Sequence, residues 1–395
     1  MLRVTASLGD DSTAYSERCA FWMSECESKG ARRLREREAT PLILTGHGLS
    51  LRVDKGHLLV RDGNTHYPAE RQEWRFFNGT LDIPPAIVVL DGSGDITIDA
   101  IDWLATQRVP LIRIRWNGQF ASIITTGGQA AAASKVYWQK QTRDTPRERI
   151  AFAADIIRQK AHNSLITMDK YLPASPTLNR ARKNIATRAK WLEQRIPRTI
   201  RSLLGIEGII ASDYFRAWSD IPLKWSGLKR HPVPKNWSTY KARSPLRIER
   251  GHNRGATHPV SAMLNYAYGV LVARTQIRLI ADGYDPTLGI LHDRLLHRGT
   301  YPAFALDHME PMRPLVDQAV LGLISSARFT GADFPIQHDG VCRLHPELAR
   351  RVAQLALQRC EIPIIRAKGH HSRKRIPRDG AAGSENSNSL EVEIK

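Results

Sequence analysis

Three short apolar stretches of the sequence hold residues of the kinds that bind divalent cations. Glu207 lies among leucines and isoleucines, and His292 follows a Gly-Ile-Leu run. Asp307 and Glu310 lie in ALDHMEPMRPLVD. A buried carboxylate is costly unless it has a proton, a cation or a metal ion as its partner. One imidazole with two or more carboxylates suits Mn²⁺ or Mg²⁺, so these residues suggest a metal site if the fold brings them together.

Each of these residues also has an ordinary structural explanation. Glu207 could lie on the solvent face of its helix, and His292 could be a hydrogen-bonded histidine of the core. Glu310 precedes Pro311 and could be an acid near the start of a helix. The spacing of these residues does not decide between a metal site and these structural roles.

The elements that would position these side chains are mostly helices. Leu203 to Trp218 has apolar residues at helical spacing, with Glu207 in the same stripe. Thr145-Pro146-Arg147-Glu148 is a capping box with proline at the first helical position. Apolar patterns that begin at a proline predict three further helices, from Pro259 to about Asp282, from Pro311 to Ala327 and from Pro346 to Cys360.

The region before these helices has the alternation typical of strands. Leu49, Leu51 and Val53 alternate with polar residues, and Asp54-Lys55-Gly56 predicts a hairpin turn into Leu58 to Arg61. Further predicted elements are a strand at Ile87 to Leu90, a helix that carries Ile98, Ile101 and Leu104, and strands at Leu111 to Arg115 and Phe120 to Ile124. Gly92-Ser93-Gly94 lacks the rest of a nucleotide-binding motif and is interpreted as a turn, so no cofactor site is predicted there.

These patterns predict an α+β multidomain fold, with a small N-terminal mainly-β domain followed by an all-α domain. The predicted segments are a helical extension (1–40), the β domain (41–125), a linker (126–140), the all-α domain (141–366) and a disordered basic and polar tail (367–395). We expect residues 1–38, including Trp22, to be dispensable for folding. Residues 219–258 are rich in proline and basic residues and are predicted to be a loop with DNA contacts.

The charge of the chain indicates a polyanionic partner. Its 395 residues carry a formal net charge of +19 at pH 7. Nucleic acid is the usual partner of such a soluble protein, and a membrane surface is the weaker alternative. The sequence shows no long apolar run and no secretory leader, so we expect a cytoplasmic protein without a membrane partner. The four cysteines show no zinc spacing and are expected to be reduced.

One basic run leads directly into the helix of Glu207. It consists of Arg180, Arg182, Lys183, Arg188, Lys190, Arg195, Arg198 and Arg201, with Glu193 as the acid among them. Such a run is often only a solvated helix face. Because the whole chain is basic, we favour contacts with DNA phosphates.

The order and wording of several segments resemble the CRISPR-associated spacer-acquisition integrase/endonuclease ("Cas-one") family. The resemblance extends over roughly residues 41–330 and is strong because the motifs follow in the family's order. The motifs are PLILTGHGLSLRVDKGHLLVRDG, IVVLDGSGDITIDAIDWLATQRVPLIRI, AADIIRQKAHNSL, LLGIEGIIASDYF, HPVSAMLNYAYGVL, DPTLGILHD and ALDHMEPMRPLVDQAVLGLI.

The resemblance implies a metal-dependent integrase that inserts short DNA fragments by attack of a DNA 3′-hydroxyl on a target phosphodiester. It implies that Glu207, His292 and Glu310 hold Mg²⁺ or Mn²⁺, with Asp307 lining the site or replacing Glu310 as the third ligand. Asn265 and Tyr268 match a polar pair beside the site and are expected to contact DNA. DNA contacts are expected from the basic run, at Arg182, Lys183, Arg188, Lys190 and Arg195, and from Lys229 to Arg254.

The resemblance also implies partners: double-stranded DNA, a second copy bound through the β domain, and a small ferredoxin-like subunit that bridges two dimers. Departures from the family are the N-terminal extension, the 219–258 insertion, the residues between His292 and Glu310, and the basic tail. Two other functions stay open, a stand-alone transposon-type integrase of the same fold and a non-catalytic nucleic-acid-binding protein with a degenerate site.

Overall fold

The computed structural model describes residues 8–27, 38, 40–65, 70–116, 118, 120–124, 131–219, 221–241, 256–292, 302–337 and 340–359. Within them, a sheet is followed by a helical region, so the fold is α+β as predicted. The predicted tail lies outside the described residues, as do 242–255 of the predicted loop. The predicted domain boundaries stay a prediction.

Six strands form one mixed sheet in the order β3-β2-β1-β4-β5-β6. They are β1 (Leu42–Asp54), β2 (His57–Arg61), β3 (Glu73–Phe76), β4 (Ile87–Ile96), β5 (Leu111–Ile114) and β6 (Phe120–Ile124). The predicted hairpin is confirmed, because Asp54 of β1 pairs with His57 of β2 across the turn. β4 pairs with β1 on one side and with β5 on the other, and it is parallel to both, so it is an interior strand of the sheet.

The predicted turn at Gly92-Ser93-Gly94 is wrong, because all three residues lie within β4. The glycines serve close backbone packing instead. A Cβ atom on Gly94 would lie 2.0 Å from the carbonyl oxygen of Leu49 on β1. Only glycine allows the two parallel strands to approach this closely.

One face of the sheet packs against α2 (Ile98–Gln107) through Ala100, Trp103 and Leu104. The predicted helix is confirmed, with Leu104 buried and Ile98 76% exposed. The helix begins at Thr97, whose side chain accepts a hydrogen bond from the amide of Ala100, so Ile98 falls on the outer side of the first turn.

The helical region contains eight helices among the described residues. They are α3 (Ala133–Asp144), α4 (Pro146–Tyr171), α5 (Pro176–Gln194), α6 (Ile200–Arg216), α7 (Pro259–Ala281), α8 (Ala303–Met309), α9 (Arg313–Ser326) and α10 (Pro346–Arg359). None of the helices in the described part of the chain is long and apolar enough to cross a membrane.

The predicted helix starts are confirmed at Pro146, Pro259 and Pro346. Other local predictions need correction. Thr145 makes no side-chain capping bond, so the predicted capping box is absent and the start relies on proline at the first helical position. The predicted linker is already helical from Ala133, since α3 begins there.

The sheet and the helices meet at α7 and α10. Gly118, in the loop between β5 and β6, lies so close to α7 that a Cβ atom on Gly269 would be 2.0 Å from its carbonyl oxygen. On α10, the guanidinium of Arg350 donates to the Thr45 hydroxyl of β1 at 2.8 Å and pairs with Asp62. The helix that carries Asn265 and Tyr268 is therefore held directly against the sheet.

The N-terminal extension contributes to the core, which contradicts the expectation that it is dispensable. α1 (Leu8–Glu27) buries Trp22 completely. The Trp22 indole nitrogen donates to a carboxylate oxygen of Asp333 at 3.0 Å, and Arg18 donates to the same oxygen at 2.8 Å. A turn of helix places Arg18 and Trp22 on one side, where both reach this buried acid.

The described part of the predicted 219–258 loop is folded. Strands β7 (Ile221–Pro222) and β8 (Thr239–Tyr240) pair, and Trp237 and Tyr240 are buried. Trp225 stacks on Trp237 with ring centroids 6.1 Å apart. The prediction of a loop is wrong for these described residues. It relied on the many proline and basic residues, but the aromatic side chains between them pack into a small core.

Candidate active site

Two helices bring a carboxylate and an amine together at the centre of the helical region. α6 carries Glu207, and α4 carries Lys160 on the same face as Ile156 and Ile157. The Lys160 ammonium contacts Oε1 of Glu207. Glu207 is half-buried rather than enclosed, with its side chain 25% exposed. Glu207 therefore lies at the edge of the apolar face of α6, whereas the sequence pattern put it within that face.

A break between α8 and α9 supplies the second carboxylate. Met309 ends α8, and Glu310 to Met312 form a 3₁₀ turn that leads into α9. α4 holds this turn, because Asn163 donates to the carbonyl of Pro311 at 2.7 Å and Thr167 donates to that of Pro314 at 2.7 Å. Glu310 is thereby fixed against the helix that also carries Lys160.

Glu310 is a buried carboxylate between two cations. Its Oε2 accepts a hydrogen bond from Lys160 at 2.6 Å, and its Oε1 lies 3.2 Å from a guanidinium nitrogen of Arg313. Burial by itself would raise the pKa of Glu310, but the charges of Arg313 and Lys160 lower it to about 2. Glu310 is therefore ionised at neutral pH.

Asp307 organises the segment that carries His292. Its carboxylate accepts hydrogen bonds from the amides of Ile290, Leu291 and His292 at 2.6 to 3.0 Å. It also accepts one from Nδ1 of His292 at 2.7 Å. Each oxygen of the carboxylate therefore accepts two hydrogen bonds. A carboxylate has about four acceptor positions, so those of Asp307 are all in use. This arrangement favours Glu310 over Asp307 as the third ligand and assigns Asp307 a positioning role.

The bond to Asp307 orients the imidazole of His292. An ionised carboxylate can only accept, so Nδ1 carries the proton and Nε2 is the nitrogen left for a metal ion. Burial alone would lower the pKa of His292, yet its hydrogen bond to Asp307 and the nearby negative charge raise it.

The predicted ligands line one cavity of about 180 Å³. Its walls are formed by Ile156, Ile157, Lys160, Leu204, Glu207, Leu291, His292, Glu310 and Arg313. Asp307 lies behind His292 and does not line this space. The fold thus brings Glu207, His292 and Glu310 together although they come from three separate segments.

The cavity holds two carboxylates and one imidazole among its polar groups. As they stand, the described residues contain no group of three or more His, Cys, Asp or Glu side chains that could hold a metal ion. Lys160 contacts both Glu207 and Glu310 and so lies between the two carboxylates. Carboxylate and imidazole groups are ligand types that Mg²⁺ and Mn²⁺ bind, and one cation already bridges the two acids, so the chemistry of the donor set suits a divalent ion in place of the ammonium.

Lys160 and Arg313 are the residues that the sequence analysis missed. Lys160 had a usable signal, because it is a charged residue on the apolar face of α4, the same oddity that singled out Glu207. Arg313 had none, since an arginine near a helix start is common. Its guanidinium packs over the ring of Tyr268 at 5.1 Å.

Tyr268 lies behind the site rather than at its surface. It is 7% exposed, and its hydroxyl donates to Asp317 at 2.6 Å. Tyr214 donates to the other oxygen of Asp317 at 3.0 Å. Asn265 is half-buried on α7 where the backbone of Gly118 approaches. These placements favour a supporting role for both residues over direct contact with DNA.

The predicted DNA-binding residues of the basic run divide into two groups. Arg182 pairs with Asp169 at 2.6 Å, and Arg188 pairs with Asp213 at 3.3 Å. Lys183, Lys190 and Arg195 are exposed on α5 or directly after it. Of the predicted basic segment Lys229 to Arg254, residues 242–254 lie outside the described part of the chain.

Comparisons with known proteins match the resemblance found in the sequence. Residues 42–357 match the family described as CRISPR associated protein Cas1. A CRISPR-associated exonuclease Cas4/endonuclease Cas1 fusion of Rhodospirillum rubrum is 30% identical over 67% of this chain. The chain spans only 42% of that protein's length. CRISPR-associated endonuclease Cas1 1 of Archaeoglobus fulgidus is 25% identical over 81% of this chain and 88% of its own length.

A solved structure has the same fold. It is described as a casposase bound to integration product, with a TM-score of 0.64 and 24% identity. The similarity covers 81% of this chain and 82% of the casposase chain. The match over residues 42–357 confirms the predicted family resemblance, and the solved structure agrees in fold.

Proposed function

The chain belongs to the CRISPR-associated Cas1 family, and from this membership we propose that it is a metal-dependent DNA integrase and endonuclease of CRISPR adaptation. In the proposed reaction, a DNA 3′-hydroxyl attacks a target phosphodiester, the bond from phosphorus to the target's own 3′-oxygen breaks, and that oxygen leaves as a free 3′-hydroxyl, so that a short fragment is joined to the target. Water replaces the attacking hydroxyl in the nuclease reaction. One observation carries the proposal. Glu207 and Glu310 converge on a single cation at a cavity that His292 also lines.

In this proposal Glu207, His292 and Glu310 hold Mg²⁺ or Mn²⁺. The bound ion would polarise the scissile phosphate and lower the charge that the nucleophile meets. Side chains of the protein make the other contributions to the reaction. Asp307 holds His292 in one tautomer, and Arg313 keeps Glu310 ionised through their contact at 3.2 Å. Ile156, Ile157 and Leu291 form an apolar wall beside these polar groups.

DNA would bind through its phosphates on the exposed basic side chains of α5. Lys183 and Lys190 lie on this helix, and Arg195 follows it. The same helix packs against α6, which carries Glu207. Contacts to phosphates give affinity with little reading of sequence, so the target choice would come from elsewhere in the complex.

The partners proposed for this chain follow from the family. They are double-stranded DNA, a second copy bound through residues 41–125, and a small ferredoxin-like adaptation subunit. The stand-alone transposon-type integrase and the non-catalytic DNA-binding protein remain the alternatives that the following experiment distinguishes.

The experiment is strand joining of an oligonucleotide with a free 3′-hydroxyl into a supercoiled plasmid, in Mn²⁺ or Mg²⁺. We expect Glu207→Gln and His292→Ala each to lower the rate at least about 100-fold, and the double variant to lose little more, because residues that act through one ion are not additive. Glu193→Gln is the matched control, since Glu193 is an exposed acid on α5. Its rate should equal that of the wild type.

The outcomes separate the three functions. Joining that requires the small subunit supports the CRISPR integrase, whereas efficient joining by the chain alone supports the transposon-type enzyme. Metal-independent binding of DNA with no product in any condition supports the non-catalytic protein. Full activity of Glu207→Gln would contradict the proposed site in either enzyme.

A further inference from the structure

Lys160 is a buried cation at the position where the proposed function needs a metal ion. Its side chain is 10% exposed and projects from α4 between α6 and the turn that precedes α9. The ammonium contacts Oε1 of Glu207 and lies 2.6 Å from Oε2 of Glu310. Two acids that come from distant segments thus share one positive charge.

A metal ion and the ammonium cannot both occupy this position. Magnesium binds carboxylate oxygens at about 2.0 to 2.1 Å. An ion on Oε2 of Glu310 would lie within about 5 Å of an ammonium that stays 2.6 Å from the same oxygen. The other oxygen of Glu310 already faces Arg313 at 3.2 Å, so a third positive charge would meet two cations at once.

We propose that Lys160 is a tethered cation that takes the place of the metal ion between Glu207 and Glu310, so that metal binding is an exchange in which the ammonium leaves at least one carboxylate. The inference rests on the proposed metal site and adds a residue to it. In the metal-free protein, Lys160 removes the repulsion between the two acids and keeps them in position. The same ion pairing lowers the apparent affinity of the site for the metal ion.

The size of this effect follows from the population of the ion-paired state. A ligand that binds only the minor, competent state has its affinity lowered by the fraction of that state. If the ammonium contacts both acids in about nine molecules of ten, its removal tightens metal binding about tenfold. A lysine with a purely structural role would weaken metal binding when it is removed, because the site would lose its geometry.

The test is a calorimetric titration of the full chain with Mn²⁺ at constant pH. Lys160→Met removes the charge and keeps most of the side-chain length, and Lys160→Arg keeps the charge. Lys170→Met is the matched control, because Lys170 is an exposed lysine on the same helix. We expect the Kd for Mn²⁺ to fall about tenfold in Lys160→Met and to stay within about threefold of the wild type in the other two.

Melting curves provide a second readout. Lys160→Met should melt at a lower temperature than the wild type without metal and should gain more from saturating Mn²⁺. If Lys160→Met does not fold, Lys160→Gln replaces it, since the amide can bond both carboxylates without a charge. Addition of Glu207→Gln to the neutral variant should abolish the tightened binding, which locates the ion at this site.

The results distinguish this inference from the function on which it rests. Equal or weaker Mn²⁺ binding by the neutral variants, with clear binding by the wild type, overturns the exchange and leaves the metal site intact. Tighter binding by Lys160→Arg also overturns it, because the charge is then irrelevant. Absence of Mn²⁺ binding in every variant overturns the exchange together with the metal-dependent function.

Discussion

Glu310 and Glu207 contact the same ammonium but differ in what their loss would leave behind. Glu310 is 5% exposed and pairs with two cations, the buried Lys160 and the half-buried Arg313. Glu207 is partly exposed, and without it Lys160 still contacts Glu310. Glu310 is therefore the carboxylate that links both cations of the site.

We predict that Glu310→Gln lowers the free energy of unfolding by about 3–5 kcal/mol, because Arg313 loses its carboxylate partner and the buried Lys160 keeps only Glu207. Glu207→Gln should lower it by about 1 kcal/mol or less, since its ion pair has access to solvent. Denaturant unfolding of both variants without metal measures the difference. Equal stability of the two variants would show that Arg313 and Lys160 do not depend on Glu310.

Asp307 shows how a residue can belong to a site without lining it. The sequence left Asp307 and Glu310 as alternatives because both are acids in the same apolar segment. The structure separates them by their acceptors, since Asp307 is occupied by three backbone amides and Nδ1 of His292. Backbone amides outside regular structure need such an acceptor, which explains why the acid is buried there.

At the scale of elements, α4 connects the parts of the site. Lys160 reaches both acids, and Asn163 and Thr167 hold the turn between α8 and α9 through its carbonyls. These three residues follow one another at spacings of three and four, so they lie on one face of the helix. A shift of α4 would therefore move the cation and the Glu310 turn together.

The N-terminal helix α1 is also an integral part of the fold. Trp22→Ala removes a fully buried indole that donates to Asp333. We predict a loss of about 3–5 kcal/mol in the free energy of unfolding, which combines the lost apolar burial with the loss of one of the hydrogen bonds to Asp333.

Phe21→Ala is the matched control for this prediction. Phe21 precedes Trp22 on α1 but is 38% exposed, so its removal should cost about 1 kcal/mol or less. Denaturant unfolding of the full chain measures both variants. Similar losses for the two, or none for Trp22→Ala, would return α1 to the role of a dispensable extension.

At the scale of the whole molecule, the net charge of +19 acts through exposed side chains. Arg182 and Arg188 are poor candidates for DNA contact because nearby acids already neutralise them. Lys183 and Lys190 are exposed on the same helix, α5. The proposed DNA surface is therefore smaller than the basic run of the sequence.

DNA affinity should fall steeply with salt, because binding releases counterions from the phosphates. We predict that Lys183→Glu with Lys190→Glu flattens the log–log slope by about two, one for each lost contact. Arg52→Glu on β1 is the control, since Arg52 is exposed on the sheet rather than on α5. A titration from low to moderate salt measures the slopes. An unchanged slope in the double variant would remove α5 from the DNA surface.

The sequence by itself determined the element types, the family and the identity of the candidate ligands. Helical and strand periods are local properties, so the hairpin at Asp54 and the helix starts at Pro146 and Pro259 could be predicted from neighbouring residues. Glu207, His292 and Glu310 stood out for a related reason. A charged or polar residue in an apolar segment is costly to bury, whichever partner it finally has.

Only the tertiary structure decided which partner each polar residue has. Lys160 is 47 residues from Glu207 and 150 from Glu310 along the chain, and no local pattern joins them. The roles of Asp307, Tyr268 and Trp22 depend in the same way on contacts with distant segments. Burial creates the need for a partner within one segment, but the packing of several segments selects the group that meets it.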